Sequence, residues 1–187
     1  MTSEQDVVVE TDSRMKKSVE ALSRELASIR SGRASPALVE NLVVEYYGAP
    51  TPLKQIASIS APELRVLMIQ PWDKQSIADV EKGILKSDLG LVPNSDGDVI
   101  RITIPTLTEE RRRDLVRLVG RKTEEANVAV RNIRRDGLTL FRDMEKQKSL
   151  SKDEGRRGQE QLQKLTDAYI QQMDELRKDK EIEVMEV

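Results

Sequence analysis

Apolar residues recur at the α-helical period from Thr108 to Lys148. A helix of about forty residues is about 60 Å long. A rod of that length needs partner helices along its whole apolar stripe, which commits the chain to an elongated bundle. On a wheel with Arg131 at zero and about 100° per residue, Leu115, Ala126, Ile133, Leu140 and Met144 fall at about 200° and form the expected buried face. Arg113, Arg117, Arg131, Arg135 and Arg142 lie within about 40° of zero, on the other side. An outward row of guanidinium groups suits a polyanion, because each fork matches two phosphate oxygens at once.

Partners for the rod stand on either side of it. Met15, Val19, Leu22, Leu26 and Ile29 alternate steps of four and three, a coiled-coil-like seam that Gly32 and Pro36 end. A third helix is expected after Ser149 or Ser151, with Leu162, Leu165, Tyr169, Met173 and Leu176 inside. Between the first two helices the pattern turns β-rich. Leu42 to Tyr47, Leu53 to Ile59, Leu64 to Gln70 and Val99 to Ile104 read as strands, Gly48 to Pro52 as turn chemistry, and Gln75 to Ser87 as a short amphipathic helix.

The expected fold is therefore α+β in two domains: a long antiparallel three-helix bundle from residues 1–31 and 106–187, and a small α/β domain inserted at 32–105. Only two chain segments join them, at Gly32/Arg33 and Pro105/Thr106, which makes those four residues a natural hinge. Three glycines disturb the helices. Gly137 falls on the buried side of the second, and Gly155 and Gly158 in the first turns of the third. Each costs about 1 kcal/mol relative to Ala. Gly137 either admits a close helix or permits a bend.

Charge is distributed rather than excessive. Net charge is −2, yet Arg111 to Arg135 holds nine Lys/Arg against three Asp/Glu, while the first twelve residues have four acids and no base. A basic middle with acidic ends orients a molecule on an anionic surface. With no Cys and no His, disulfides, cysteine–histidine zinc sites, thiol nucleophiles and histidine bases are excluded. The N-terminal stretch lacks the character of a signal or transit peptide, and no apolar run reaches the ~20 residues needed to span a bilayer. A cytoplasmic protein is expected, with no cofactor and no small-molecule substrate.

Other motifs fail on spacing. Gly120-Arg121-Lys122-Thr123 lacks the first glycine and the Gly-Lys-Thr run of a phosphate loop, and it lies mid-helix. Asn94 to Asp98 has oxygen ligands without calcium-loop spacing, and reads as a hairpin turn. Arg131, Arg134 and Arg135 sit on adjoining turns of one surface with no acid among them. The bland reading is a solvated face paired with nearby acids; the local excess of arginine favours phosphate binding. Five aromatics are too few for base stacking along single strands, so folded RNA read by shape and phosphates fits better. A coiled-coil scaffold would use the same seams without needing the arginine face. A carboxylate-dependent phosphotransfer enzyme would need clustered acids beside a basic pocket, which spacing does not reveal. Tyr46 and Tyr47 alternate faces of a strand, one inward and one available to a partner.

Several segments, in order, closely resemble the ribosome recycling factor family of bacteria: Arg30-Ser31-Gly32-Arg33-Ala34-Ser35-Pro36, Val43-Val44-Glu45-Tyr46-Tyr47-Gly48 and Pro50-Thr51-Pro52. So do Ser87-Asp88-Leu89-Gly90, Pro93-Asn94, the run from Pro105 to Arg112, Val130-Arg131-Asn132-Ile133-Arg134-Arg135-Asp136 and Lys164-Leu165-Thr166-Asp167. The resemblance runs from about Arg14 to the C-terminus. It implies an L-shaped, non-enzymatic monomer that acts with elongation factor G and GTP to split the post-termination ribosome into subunits. It implies a bundle bound to the RNA of the large (50S) ribosomal subunit and a smaller domain that meets elongation factor G. Arg131, Arg134 and Arg135 would carry the principal RNA contacts, with Arg30 and Arg33 near the elbow and Arg117 further along the arginine face. The three helix glycines depart from the family's usual helix-favouring residues there, which touches the straightness of the bundle and not its RNA motif.

Overall fold

A computed structural model describes residues 3–186, which divide into two compact units. One comprises the described residues up to Arg30 together with Glu109–Glu186; the other is Ser31–Thr108. The division falls one residue before and three residues after the boundaries expected from sequence.

The first unit is three helices, α1 (Glu4–Ser28), α3 (Glu109–Lys146) and α4 (Lys152–Met185), each packed on the other two. α1 starts well before the seam that announces it. Ser3 and Asp6 form a capping box, with the Asp6 N–H donating to Ser3 Oγ at 3.1 Å and the Ser3 N–H to Asp6 Oδ2 at 2.8 Å. The backbone N–H of Ser3 also holds the Asp6 carboxyl below its ordinary range. Ser151 and Glu154 repeat the device at the start of α4. Cross-helix pairs give the directions. Arg14 meets Asp136 and Lys122 meets Glu25, so α1 and α3 are antiparallel. The short link from Gln147 to Ser151 turns α4 antiparallel to α3 as well.

The buried stripe of α3 departs from the expected one. Leu115, Val119, Thr123, Asn127, Val130, Gly137, Phe141 and Met144 are buried, and on the same wheel they centre at about 250°. Leu140 is 45% exposed, not inside. The apolar letters mislead because three inward positions are occupied by Thr, Asn and Gly. α3 runs unbroken through Gly137, where another helix comes close. A Cβ there would lie 2.7 Å from Leu162 Cδ1 and 3.0 Å from Thr11 Oγ1; at Gly158 it would lie 2.5 Å from Phe141 Cζ. The glycines admit large neighbours, and that packing offsets their poor helix propensity.

The second unit holds a two-stranded sheet, β1 (Val43–Tyr46) with β2 (Ala49–Pro52). Its larger sheet has four strands: β3 (Ala57–Glu63), β4 (Val66–Pro71), β5 (Pro93–Asp96) and β6 (Val99–Thr103). Their spatial order is β3-β4-β6-β5, with every pair antiparallel. The expected turn at Gly48 to Pro52 is only partly a turn, since Ala49–Pro52 pairs with β1; its prolines are tolerated because that strand has a single partner. Asn94 to Asp98 is likewise only partly a turn, because β5 takes Asn94, Ser95 and Asp96. The expected strand Leu53 to Ile59 begins as a 3-10 turn over Leu53–Gln55. α2 (Ile77–Lys86) buries Val80 and Ile84 and presses Gly83 onto β1, where a Cβ would come 2.4 Å from a Val44 methyl. Tyr46 packs on the core, whereas Tyr47, in the left-handed region at φ 49°, is exposed and donates to Asp73. Trp72, beside that aspartate, is 68% exposed.

Candidate nucleic-acid interface

The helical period of α3 places the arginines, and the packing of its neighbours decides how each is held. Arg131 and Arg135 are exposed, as are Arg113, Arg117 and Arg142. None is drawn into the bundle. Arg131 Nη1 meets Glu124 Oε1 at 3.1 Å, one of the nearby acids that the bland reading invokes, but both side chains are more than half exposed and such pairs contribute little. Arg117 meets Asp114 at 3.5 Å in the same exposed manner. Asp136, the acid next to Arg135, is occupied by Arg14 of α1 at 2.9 Å. Arg135 consequently has no ion pair among the described residues, and its charge is left to solvent.

Arg134 differs. The rotation of the buried stripe brings it to the edge of the α3–α4 seam, at about 300° on the wheel. It is half-buried, its Nε is shielded without a partner, and its Nη1 donates to Gln163 Oε1 of α4 at 2.6 Å. Gln163 in turn donates from Nε2 to Asp167 Oδ1 at 2.8 Å. Gln163 and Asp167 are functional candidates that the sequence reading missed. Their i, i+4 spacing is visible in the sequence, but nothing local says that this pair faces Arg134.

The remaining predicted residues lie apart from this cluster. Arg117 is fourteen residues along the helix from Arg131, about 21 Å at 1.5 Å per residue. Arg30 is exposed just beyond the end of α1, and the antiparallel register that sets Glu25 beside Lys122 carries it toward the Arg117 end of α3. Lys122, held by Glu25 first and Glu125 second, has its ammonium pKa raised and is the cation most committed to internal pairing on this side. Arg33 is exposed and belongs to the second unit.

The expected hinge residues flank two backbone pins. The Ala34 N–H donates to the Leu64 carbonyl at 2.8 Å, and the Ile104 N–H to the Arg65 carbonyl at 2.7 Å. Both ends of the inserted segment are thus tied to one turn of its own unit. Gly32, at φ +78°, and Arg33 lie just outside the first pin; Pro105 and Thr106 lie just outside the second, in backbone without regular structure. Among the described residues no group of three or more His, Cys, Asp or Glu gathers to hold a metal, and no helix is long and apolar enough to cross a membrane.

Comparison with known proteins identifies the same kind of molecule throughout. The sequence model of a family described as ribosome recycling factor matches residues 22–185. The ribosome-recycling factor of Carboxydothermus hydrogenoformans is 54% identical over 98% of this chain and 99% of its own length. That of Halalkalibacterium halodurans is 57% identical over 97% of this chain and 98% of its own. A solution structure of the ribosome recycling factor superposes with a TM-score of 0.78 at 46% identity, covering 100% of both chains. A second structure has a TM-score of 0.65 at 48% identity, covering 98% of this chain and 99% of that one. It belongs to a set described as models for the T. thermophilus ribosome recycling factor and the E. coli elongation factor G bound to the E. coli post-termination complex.

Proposed function

This chain belongs to the ribosome recycling factor family, and from that membership we propose that it works with elongation factor G and GTP to split the post-termination ribosome into subunits. The observation that carries this reading is the collinear match across both units, which includes the arginine segment of α3. The chain acts as a monomer in the cytoplasm, where ribosomes are, and performs no chemistry of its own. The GTPase supplies the free energy; the bundle supplies the grip.

Arg131, Arg134 and Arg135 form the principal contact with large-subunit RNA, and Arg30, Arg33 and Arg117 are secondary contacts. Guanidinium groups left largely to solvent, as on this face, can exchange water for phosphate without first breaking a buried ion pair. With about five phosphates neutralised, log affinity falls against log salt with a slope of roughly −3 to −5. Residues 32–105 receive the push of elongation factor G. Gly32, Arg33, Pro105 and Thr106 let that unit turn, because they lie outside the Ala34 and Ile104 pins.

The test is a splitting assay with purified ribosomes, elongation factor G, GTP and this protein, followed by light scattering. Dissociation that requires all three additions is the expected result; intact ribosomes under the same conditions overturn the reading. Arg134→Ala weakens large-subunit binding by about 1.5–3 kcal/mol, the range for a hydrogen bond to a charged group, with helicity by circular dichroism unchanged.

A further inference from the structure

Arg134 is the only one of the three central arginines that another helix takes hold of. Arg131 meets an acid on its own helix, and Arg135 has no ion pair among the described residues. Arg134 lies against α4, with Nη1 bonded to Gln163 Oε1 at 2.6 Å while Gln163 Nε2 bonds to Asp167 Oδ1 at 2.8 Å. Arg134 Nε is shielded and has no hydrogen-bond partner among the described residues.

We propose that Gln163, itself oriented by Asp167, is a positioning residue that sets the Arg134 guanidinium for a phosphate. The inference rests on the RNA-binding reading above. Three physical points carry it. A carboxylate can only accept, so Asp167 obliges the Gln163 amide to turn its NH2 toward Asp167 and its carbonyl oxygen toward Arg134. With the amide reversed, two donors would face one another. Arg134, which can only donate, selects the same orientation, and Asp167 holds the amide in it from the other side.

Second, a neutral acceptor fixes the plane of the guanidinium without cancelling its charge. A glutamate at 163 would hold Arg134 more firmly, yet it would compete with the phosphate for the same cation. Third, a long side chain already bonded in the free protein loses less freedom on binding, and that reduction is a direct gain in affinity. Arg131 and Arg135 have no such support from α4, and contribute mainly attraction.

The experiment is a double-mutant cycle on the full-length protein. Binding to purified large ribosomal subunits is measured across a salt series for wild type, Gln163→Ala, Arg134→Ala and the double variant. Gln163 and Asp167 are exposed helix positions, so their substitution leaves the bundle folded. Gln163→Ala is expected to weaken binding roughly 3- to 10-fold with the salt slope unchanged, since no phosphate contact is removed. Arg134→Ala is expected to lower the slope by about 1, and Gln163→Ala is expected to add nothing in that background. Asp167→Ala should follow Gln163→Ala in direction, and Gln163→Glu should weaken binding although it restores an acceptor.

A readout without RNA accompanies these. The Arg134 Nε–H of the free protein should become more mobile by NMR relaxation in Gln163→Ala. Additive losses in the double variant, an unaltered Arg134 Nε–H, or tighter binding by Gln163→Glu overturns the positioning role while leaving the RNA-binding face in place. If Arg134→Ala binds as wild type does, the RNA-binding role of Arg134 fails, and the positioning role with it.

Discussion

In the α/β unit a single continuous cluster, with Val44, Leu53, Leu67, Ile69 and Ile100 among its members, fills the interior. The bundle divides its apolar contacts between two smaller clusters, one around Met15, Leu22 and Met173 and the other around Phe141 and Leu162. Polar side chains are buried in the bundle too. The hydroxyls of Thr123 and Thr166 donate to the carbonyls of Val119 and Leu162, one turn back on their own helices, at 2.9 and 2.7 Å. They therefore enter the interior without an unmet hydrogen bond. Hydrophobic identity selects most of the inside of the sheet unit, with Ser31 and Ser76 buried as well. In the bundle, size selects it: large residues of one helix settle over glycines of another, and that matching fixes the register.

The contrast can be broken most directly at Phe141, which is fully buried over Gly158. Phe141→Ala should cost about 3–5 kcal/mol in denaturant unfolding, and the protection lost in hydrogen exchange should fall on the helices. Leu67→Ala, at about 2–5 kcal/mol, should instead release the amides of β3 to β6. Loss spread evenly over both units in either case would show that they do not have separate interiors.

Glycine substitutions sharpen the point. Gly158→Ala should destabilise by about 1–3 kcal/mol, although alanine is the better helix former, and the penalty should shrink in a Phe141→Leu background. Gly120 sits in the same helix as Gly137 with nothing within 4 Å of its missing Cβ. Gly120→Ala should therefore stabilise, by up to about 1 kcal/mol. Equal effects at 120 and 158 would remove close packing as the reason for the glycines.

The smallest effect concerns Tyr169, whose hydroxyl donates to Asp12 across the α1–α4 contact at 2.7 Å. Burial first, and the Asp12 bond second, push its phenol up to about 12 from the ordinary 10.0. The fold favours the neutral phenol, so its stabilisation is complete below pH 10 and fades as the pH climbs toward 12. Tyrosinate absorbance in wild type against Tyr169→Phe would follow that late step, and Asp12→Ala should bring it to lower pH.

The α/β strands were legible where β-branched residues alternate, as in Val99 to Ile104, and obscure where proline-rich Ala49–Pro52 forms a strand by pairing with β1. The three helices were legible from their seams, and Gly137 was placed on the buried side, but the inner face of α3 was misjudged by about 50° because Thr123 and Asn127 do not look like core. That rotation is also why Arg134 reads from sequence as one of three similar arginines. Its distinction depends on Gln163, twenty-nine residues away on another helix, and long-range placement of that kind leaves no local trace. The start of α1 went unseen because its capping box precedes the first residues of the seam.

The chain carries one indole, Trp72, and it stands on the surface of the α/β unit. Emission excited at the red edge of the absorption band therefore comes from that unit. The ring is largely exposed to water in the native state, so a protein docking beside Trp72 shifts the colour of its light.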